Sequence, residues 1–244
     1  MPLQTVEPQR LYRQIAGQLR TLISRGEFAV GARLPAERDL AKQLGVSRPS
    51  VREALIALEV EDWVEVRSGS GVYVLDRSTR GRQASVVQVA ANEWGPMELI
   101  RARRVVEGET AAMAALQAKR KHIDAMGKAM TNMRADADRG VLSRDDDRAF
   151  HTAIVESCGN TVLIETVQRF WDSRMSPLYE RLGEHFDTVE SWREAVQEHE
   201  AIYTAVRTRD ANAARTAMHV HMDKAHERFN LSWRRSKASK VPKP

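Results

Sequence analysis

Three histidines in the carboxy-terminal half of the chain lie at helical positions where the surrounding pattern requires apolar residues. His151, His199 and His221 each lie on an otherwise apolar helix face. Asp147 precedes His151 by four residues, so the two side chains project from one helix face. One carboxylate and three imidazoles can ligate a divalent transition metal such as zinc and leave coordination positions open. A single inward histidine is more often a hydrogen-bonded core residue, but these four groups together favour a metal site.

The amino-terminal third contains a second set of residues with recognisable chemistry. Arg48 and Arg52 lie on the polar side of a short helix, and Arg38 projects from the helix before it. Arginine is the side chain that most often reads guanine, because its planar fork donates to O6 and N7 together. Ser47 and Ser50, at the start of the second helix, suit phosphate oxygens. The alternative interpretation is that the arginines are solvated charges on an ordinary helical pair.

The elements that hold these residues follow from the string LPAERDLAKQLGVSRPSVREALIALE at 34–58. Apolar residues recur every three or four positions on both sides of Gly45, which predicts two amphipathic helices. Pro35 suits the start of the first helix, and Gly45 suits its end. Ser47 can cap the second helix, with Pro49 in its first turn. Helix, tight turn and helix predict a helix-turn-helix whose second helix enters the DNA major groove.

A β-hairpin is predicted directly after these helices. The string DWVEVRSGSGVYVL contains two short strand-like runs joined by a glycine-rich turn. Arg67 and Gly69 lie in this turn, and its basic tip can approach the minor groove or the backbone of DNA. A glycine-rich loop can instead bind a nucleotide phosphate, but here no Lys-Ser/Thr pair follows it and no helix begins after it. Together with a helix over 11–23, these elements form three helices and a wing.

The remaining chain is predicted to be a helical bundle, which makes the protein mainly α. Apolar residues recur at helical spacing from Trp94 to residue 232. We therefore expect a winged helix-turn-helix domain at 1–76, a linker at 77–93, an all-helical domain at 94–232 and a basic tail at 233–244. The first helix expected in the bundle begins at Gly95-Pro96. Five further helices are expected at 121–139, 144–157, 160–181, 188–207 and 210–232.

The composition suits two modest domains in a reducing cytoplasm. The chain has 244 residues, 42% of them hydrophobic, and a formal net charge of +5. A mildly basic chain permits nucleic-acid binding without demonstrating it. Cys158 is the single cysteine, which excludes an intramolecular disulfide framework. No signal peptide or apolar run of about twenty residues occurs, so we expect no membrane association.

Residues 10–76 resemble the winged helix-turn-helix of the GntR family of bacterial transcription regulators. The resemblance lies in LPAERDLAKQLGVSRPSVREAL, followed by EVRSGSGVYV. It implies that Arg38, Arg48 and Arg52 contact the operator and that Gly69 lies at the tip of the wing.

Residues 94–232 resemble the ligand-sensing FCD domain of the FadR branch of that family. The matching strings are ARRVVE, DRAFHTAI, EHEAI and AMHVHM. Many such domains bind a metal through one aspartate and three histidines, which here are Asp147, His151, His199 and His221. Zinc is the first choice, and nickel, manganese and iron are the alternatives.

The effector is expected to be a small carboxylate. A metal attracts a carboxylate or hydroxyl, and an inward arginine can hold a carboxylate through two hydrogen bonds. Arg103 is the first choice for this contact and Arg174 the second, and an intramolecular ion pair is the alternative for each. WGPMELIRARRVVE and FWDSRMSPLY resemble hexuronate-responsive repressors of the ExuR/UxuR type. That resemblance implies a sugar acid such as glucuronate, galacturonate or fructuronate.

The sequence therefore predicts a homodimeric repressor of a sugar-acid catabolic operon, released from DNA by its effector. A two-fold protein requires a two-fold site, so the operator is expected to be a short palindrome of double-stranded DNA. We do not expect an enzyme, because no convincing general base accompanies the metal group and a DNA-binding half would be unexplained. The alternatives are a metalloregulator, for which the metal is the signal, and a metal-dependent enzyme acting on a sugar acid.

Overall fold

A computed structural model of the chain describes residues 10–67, 69–76 and 93–230, apart from the side chain of Asn230. Ser68, most of the predicted linker and the predicted basic tail lie outside these residues. The described residues form ten helices and one two-stranded sheet, which confirms the mainly α fold class. The elements are α1 (Leu11–Ser24), α2 (Glu37–Leu44), α3 (Arg48–Val60), β1 (Val64–Arg67), β2 (Gly71–Val74), α4 (Pro96–Gln117), α5 (Arg120–Asp138), α6 (Arg144–Ser157), α7 (Thr161–Ser173), α8 (Pro177–Phe186), α9 (Val189–Arg207) and α10 (Ala211–Asn230).

Contacts between Cα atoms divide these elements into two compact units. The described part of the first unit includes the chain up to Met97 together with Ser176–His185, so it contains α8 up to His185 as well as the winged helix. The second unit comprises Glu98–Met175 and Phe186–Phe229. None of the described helices is both long and apolar enough to cross a membrane.

The helix-turn-helix is formed by α2 and α3, as predicted. Helix α2 begins at Glu37, two residues later than Pro35, because Ala36 is the cap residue. Gly45 ends α2 with a φ of 65°, in the left-handed region that glycine tolerates best. The Oγ of Ser47 accepts a hydrogen bond from the backbone N–H of Ser50 at 3.3 Å, which caps α3.

The wing is an antiparallel hairpin in which Val64 pairs with Val74 and Arg67 with Gly71. Arg33 forms an isolated bridge to Tyr73, which attaches the segment before α2 to the side of β2 that faces away from β1. The Nε of Arg33 lies 2.5 Å from the position that a Cβ would take at Gly71, whose φ is 128°. The conformation at this position therefore requires glycine, and a Cβ there would also displace the Arg33 side chain.

Glu59 joins three elements of the first unit. This residue near the end of α3 is 7% exposed, and its Oε1 accepts a hydrogen bond from the backbone N–H of Val66 in β1 at 2.9 Å. Its Oε2 lies 2.6 Å from Nε2 of His185 and 3.3 Å from Nε of Arg181, both in α8. The carboxylate thus ties α3, the wing and α8 together.

The second unit is a bundle of α4 to α7, α9 and α10. The inward methionines of α5, Met126, Met130 and Met133, are at most 3% exposed and belong to the core, as their helical spacing indicates. The prediction of one helix over 160–181 is wrong, because α7 ends at Ser173 and α8 starts at Pro177. Proline has no N–H to donate and disfavours helical backbone at the residue before it, so the helix breaks there.

Candidate metal centre and nucleic-acid interface

The four predicted metal ligands come together inside the second unit. Asp147 and His151 belong to α6, His199 to α9 and His221 to α10. One potential ligand atom from each residue lies within 4.8 Å of all the others, and every one of the four side chains is buried. Three helices far apart in sequence thus place four donor groups around a single point.

Each imidazole is held by a partner at Nδ1. His221 Nδ1 lies 2.8 Å from Oε2 of Glu198, and His199 Nδ1 lies 2.7 Å from the carbonyl oxygen of Ala195. His151 Nδ1 contacts the carboxylate of Glu107. An acceptor beside Nδ1 favours the tautomer that carries its proton there, which leaves the Nε2 lone pair available to a metal.

The distances between these donors suit a single transition-metal ion. His151 Nε2 and His199 Nε2 are 3.1 Å apart, and Asp147 Oδ1 lies 3.0 Å from His199 Nε2. Ligands about 2.0–2.2 Å from one tetrahedral ion are separated by roughly 3.3–3.6 Å. Asp147 Oδ1 is buried and accepts no well-formed hydrogen bond from any described residue. A buried carboxylate oxygen without a donor costs free energy that a cation would offset, so the residues fit a metal.

The electrostatic environment keeps the carboxylates ionised. Burial opposes ionisation of Asp147, but the Arg174 guanidinium and the neighbouring rings of His151 and His199 hold its pKa well below the usual range. Burial likewise opposes ionisation of Glu107, yet Arg103 and His151 together lower its pKa to about 2. Ionised carboxylates are the form that binds a cation or orients a metal-ligating histidine.

The histidine rings respond to the same environment in opposite directions. Burial would lower the pKa of His151, but the carboxylates of Glu107 and Asp147 raise it above its ordinary value. Burial, reinforced by His199 and His151, holds the pKa of His221 well below its ordinary value. A neutral His221 is ready to donate its lone pair without first losing a proton.

Both predicted effector arginines lie beside this group, and both are paired. Arg174 Nη1 donates to Asp147 Oδ2 at 3.0 Å, and Arg103 Nε donates to Glu107 Oε1 at 2.6 Å. The two guanidinium carbons lie 4.2 Å and 4.6 Å from the ring centre of Trp171. The Arg103 side chain is 3% exposed, whereas that of Arg174 is 18% exposed. The ion pairs considered from the sequence are therefore present, and Arg174 is the more accessible guanidinium.

The predicted DNA-contacting residues differ sharply in exposure. The side chains of Arg38, Arg48 and Arg67 are 83%, 51% and 53% exposed. Arg67 stacks over the ring of Tyr73 at 4.4 Å. The Arg52 side chain is only 3% exposed and forms an ion pair with Glu37 at 2.8 Å. Arg52 therefore holds α3 to α2 in this structure instead of presenting its charge at the surface.

A cleft of about 400 Å³ separates the helix-turn-helix from the wing. Arg33, Arg38 and Arg48 line it together with Gly69 and Ser70 of the wing turn. Helix α3 contributes Arg48 from its first turn and the buried Leu55 to this cleft. Ser47 and Ser50 hydrogen-bond to each other across the start of the helix at 2.8 Å. Three predicted DNA-contacting residues, Arg38, Arg48 and Gly69, thus meet around one basic cleft, in the region where helix-turn-helix proteins contact base edges.

Three carboxylates that hold the predicted site residues are not identified by the sequence analysis. Glu107 is signalled by its four-residue spacing from Arg103 on an inward face. Glu198 is signalled in the sequence only by its position directly before His199. The structure shows that it is buried. Glu37 gives no comparable signal, because its buried partner Arg52 lies 15 residues away.

A winged helix-turn-helix followed by a helical domain with a buried group of one aspartate and three histidines defines a class, the DNA-binding transcription regulators that carry their own sensing domain. Within that class the chain belongs to the GntR family: the family model "Bacterial regulatory proteins, gntR family" matches residues 11–74, and the FCD domain model matches residues 98–224. The protein is therefore a DNA-binding transcription regulator and not an enzyme, which confirms the prediction made from the sequence.

Curated relatives resemble the chain over most of its length. The Exu regulon transcriptional regulator of Escherichia coli (strain K12) is 36% identical over 224 residues, 91% of this chain and 85% of that protein. The Uxu operon transcriptional regulator of the same strain is 37% identical over 224 residues, 91% of this chain and 87% of that protein. Among solved structures, E. coli McbR/YncC aligns with a TM-score of 0.50 and 21% identity, covering 91% of this chain and 97% of that one. This last likeness concerns the fold alone.

Proposed function

We propose that the protein is a homodimeric repressor of a sugar-acid catabolic operon, and that a hexuronate releases it from its operator. One observation carries the proposal. A buried group of one aspartate and three histidines lies beside two arginines that stack on one indole. The two guanidinium groups, together with a metal held by the aspartate and histidines, would suit a small ligand with a carboxylate and several hydroxyls. The names of the relatives, regulators of the Exu regulon and the Uxu operon, agree with such a ligand.

The DNA contacts are proposed to come from the basic cleft. Arg48 is the candidate for reading a base, because it lies in the first turn of α3, the helix that enters the major groove. Arg38, Ser47 and Ser50 are suited to phosphates, and the wing residues Arg67 and Gly69 to the minor groove or backbone. Two such surfaces in a two-fold dimer would read a short palindrome.

The metal is proposed to be zinc, with nickel, manganese and iron as alternatives, held by Asp147, His151, His199 and His221. When bound, it supplies a Lewis-acidic centre that can accept an oxygen of the effector. Glu198, Glu107 and the carbonyl of Ala195 orient the three rings through Nδ1. These partners prevent the rings from turning away from the centre.

Arg174 is proposed as the residue that binds the effector carboxylate, with Arg103 as a support for the site. Arg103 is almost fully buried and holds Glu107, which in turn holds His151. Arg174 is more exposed, and it already recognises a carboxylate, that of Asp147. An effector carboxylate can take over part of this interaction while its hydroxyls meet the metal.

Release from DNA requires that the effector bind the free form more tightly than the DNA-bound form. Changing the ratio of two forms from 1:99 to 99:1 needs a preference of about 10⁴-fold. The proposed switch therefore depends on a site that changes shape between the two states, not on tight binding alone.

The proposal can be tested with the purified full-length protein. A duplex selected from a randomised library serves as the operator, and its dissociation is followed by fluorescence anisotropy as glucuronate, galacturonate or fructuronate is added. We expect at least one hexuronate to weaken DNA binding by more than tenfold, and succinate at the same concentration to have no effect. Unchanged operator affinity at saturating concentrations of all three hexuronates contradicts the proposal.

A metalloregulator is the second candidate, because both arginines are already engaged with carboxylates of the protein. In that case the metal alone changes operator affinity, and sugar acids have no effect on the metal-loaded protein. Titrating zinc into chelator-treated protein in the same anisotropy assay separates the two candidates.

A further inference from the structure

Glu37 lies at the centre of a small network in the first unit that connects α2 to α3. It is the first residue of α2, and its side chain is 7% exposed. Its Oε2 accepts hydrogen bonds from Nε and Nη2 of Arg52 at 2.9 Å and 2.8 Å. Its Oε1 accepts a hydrogen bond from Nε of Arg48 at 3.0 Å. One carboxylate therefore binds a buried arginine and a surface arginine at the same time.

The carboxylate is held firmly in this position. Arg52 donates hydrogen bonds to the Glu37 carboxylate through two nitrogens, which fixes both the position and the orientation of the carboxylate. The amino-terminal turn of α2 also favours a negative charge at its first residue. Burial lowers the pKa of the Arg52 guanidinium and Glu37 raises it in opposition, as expected for a buried pair. Arg48 is thus bound to a fixed point of the fold.

The direction of the Arg48 contact matters for DNA. Nε is the nitrogen nearest the side-chain stem, and the two Nη atoms form the far edge of the guanidinium. Among the described residues no hydrogen bond involving these Nη atoms of Arg48 is found, and the side chain is half exposed in the basic cleft. The two Nη–H groups offer parallel donors of the kind that match O6 and N7 of guanine.

We propose that Glu37 is a positioning residue for base recognition, which holds Arg48 by Nε so that its far edge faces a guanine. The inference rests on the proposed role of Arg48 and extends it to a residue that does not touch DNA. Glu37 is not itself suited to read a cytosine, although carboxylates can accept from cytosine N4, because it is buried and both its oxygens are bound to arginines. Arg38 is not held by a buried carboxylate in this way: its side chain is 83% exposed, and its Nε lies 3.4 Å from the exposed carboxylate of Asp39.

The test compares base preference and not affinity alone. The full-length protein is measured by anisotropy against its selected duplex and against every single-base variant of one half-site. Arg48→Ala first identifies the base pair at which discrimination depends on Arg48. We then expect Glu37→Gln to reduce discrimination at that same base pair by about tenfold, in line with the loss of one bidentate contact, and to change the other positions less than twofold. Combined with Arg48→Ala, it should cause no further loss.

Two further variants separate positioning from stability. Replacing Glu37 alone can leave Arg52 buried without a partner, so the double variant Glu37→Met, Arg52→Met removes the buried pair as a whole, a change that folded proteins often tolerate. It should lose the same discrimination while its melting temperature stays close to that of the unaltered protein. Glu61→Gln is the matched control, because it removes another Glu–Arg pair of this unit, with Arg20 at 3.2 Å.

Two results overturn the inference in distinguishable ways. If Arg48→Ala weakens all duplexes alike, Arg48 contacts phosphate, and the proposals for Arg48 and Glu37 fall together. If Arg48→Ala acts at one base pair but the Glu37 variants weaken all duplexes alike, or add fully to Arg48→Ala, only the role of Glu37 is refuted.

Discussion

Replacing Glu198 with Gln should weaken metal binding without touching a ligand. Glu198 Oε2 lies 2.8 Å from His221 Nδ1, and Oε1 lies 2.5 Å from Nη2 of Arg228. The substitution keeps the shape of the side chain and one oxygen acceptor but removes the negative charge. His221 then becomes a weaker donor to the metal, and the Arg228 charge nearby is no longer balanced.

The expected loss can be given a range. Removing a partner that orients a metal-ligating histidine typically reduces metal affinity by about 10- to 100-fold, which corresponds to about 1.4–2.7 kcal/mol. Glu198 is 6% exposed, so solvent does little to screen the lost charge. Because a neutral amide can still accept the Nδ1 hydrogen bond, we expect a value nearer tenfold.

The assay is competition for zinc between the protein and a chromogenic chelator. Glu200→Gln is the control, since Glu200 lies two residues further along α9 and forms an exposed pair with Arg134 at 2.5 Å. Exposed pairs contribute little, so this variant should retain the original affinity. If Glu198→Gln changes the zinc affinity no more than Glu200→Gln does, the carboxylate does not tune His221 and the reasoning fails.

Three further predictions concern the effector contact and two buried groups. Arg174→Ala should weaken hexuronate binding by about 10- to 150-fold, the loss of a charged hydrogen-bonded contact, while operator affinity without effector stays constant; calorimetric titration measures this, and an unchanged Kd contradicts it. Burial raises the pKa of the Cys158 thiol to about 11, so a disulfide reagent at pH 8 should label it only after denaturation, and rapid labelling of the folded protein argues against its burial. Burial also raises the pKa of Tyr12 from 10.0 to about 12, so the folded state holds this proton more tightly. The stabilisation that results from this difference in pKa is complete below pH 10. As the pH rises from 10 towards 12, the free energy of unfolding therefore declines by about 1.4 kcal/mol per pH unit. Urea unfolding of Tyr12→Phe should lack this decline, and parallel pH profiles of the two proteins would refute it.

The sequence predicts the elements well where the chemistry is local. Ser47 caps α3 and Gly45 ends α2 because those roles depend on a few neighbouring residues. The buried group of Asp147, His151, His199 and His221 is also predictable, since a histidine on an otherwise apolar helix face stands out in the sequence. The break between α7 and α8 is less evident in the sequence. Apolar residues keep their helical spacing on both sides of Pro177, so the pattern indicates one helix although proline has no N–H to donate.

Pairing between distant residues is what the sequence does not reveal. Arg52 has the same type and spacing as a surface arginine, and only the folded position of Glu37 shows that it is buried. Arg103 is similar: its inward position is predictable, but its pairing with Glu107 in preference to a ligand depends on how α4 packs against His151. Charge alone therefore identifies candidates, and burial distinguishes those that hold the fold from those that are presented to a ligand.

The contact of Glu59 with α8 limits how far this regulator can be treated as interchangeable modules. In sequence α8 lies in the middle of the FCD region, yet its Arg181 and His185 contact the buried carboxylate of Glu59 in the winged helix. A fragment ending at Asp76, or a chimera that joins this winged helix to a foreign sensor, lacks both of these partners, including the Arg181 charge. Such hybrids leave the end of α3 with an unbalanced charge, so transplanting the DNA-binding half means transplanting α8 as well, or replacing Glu59.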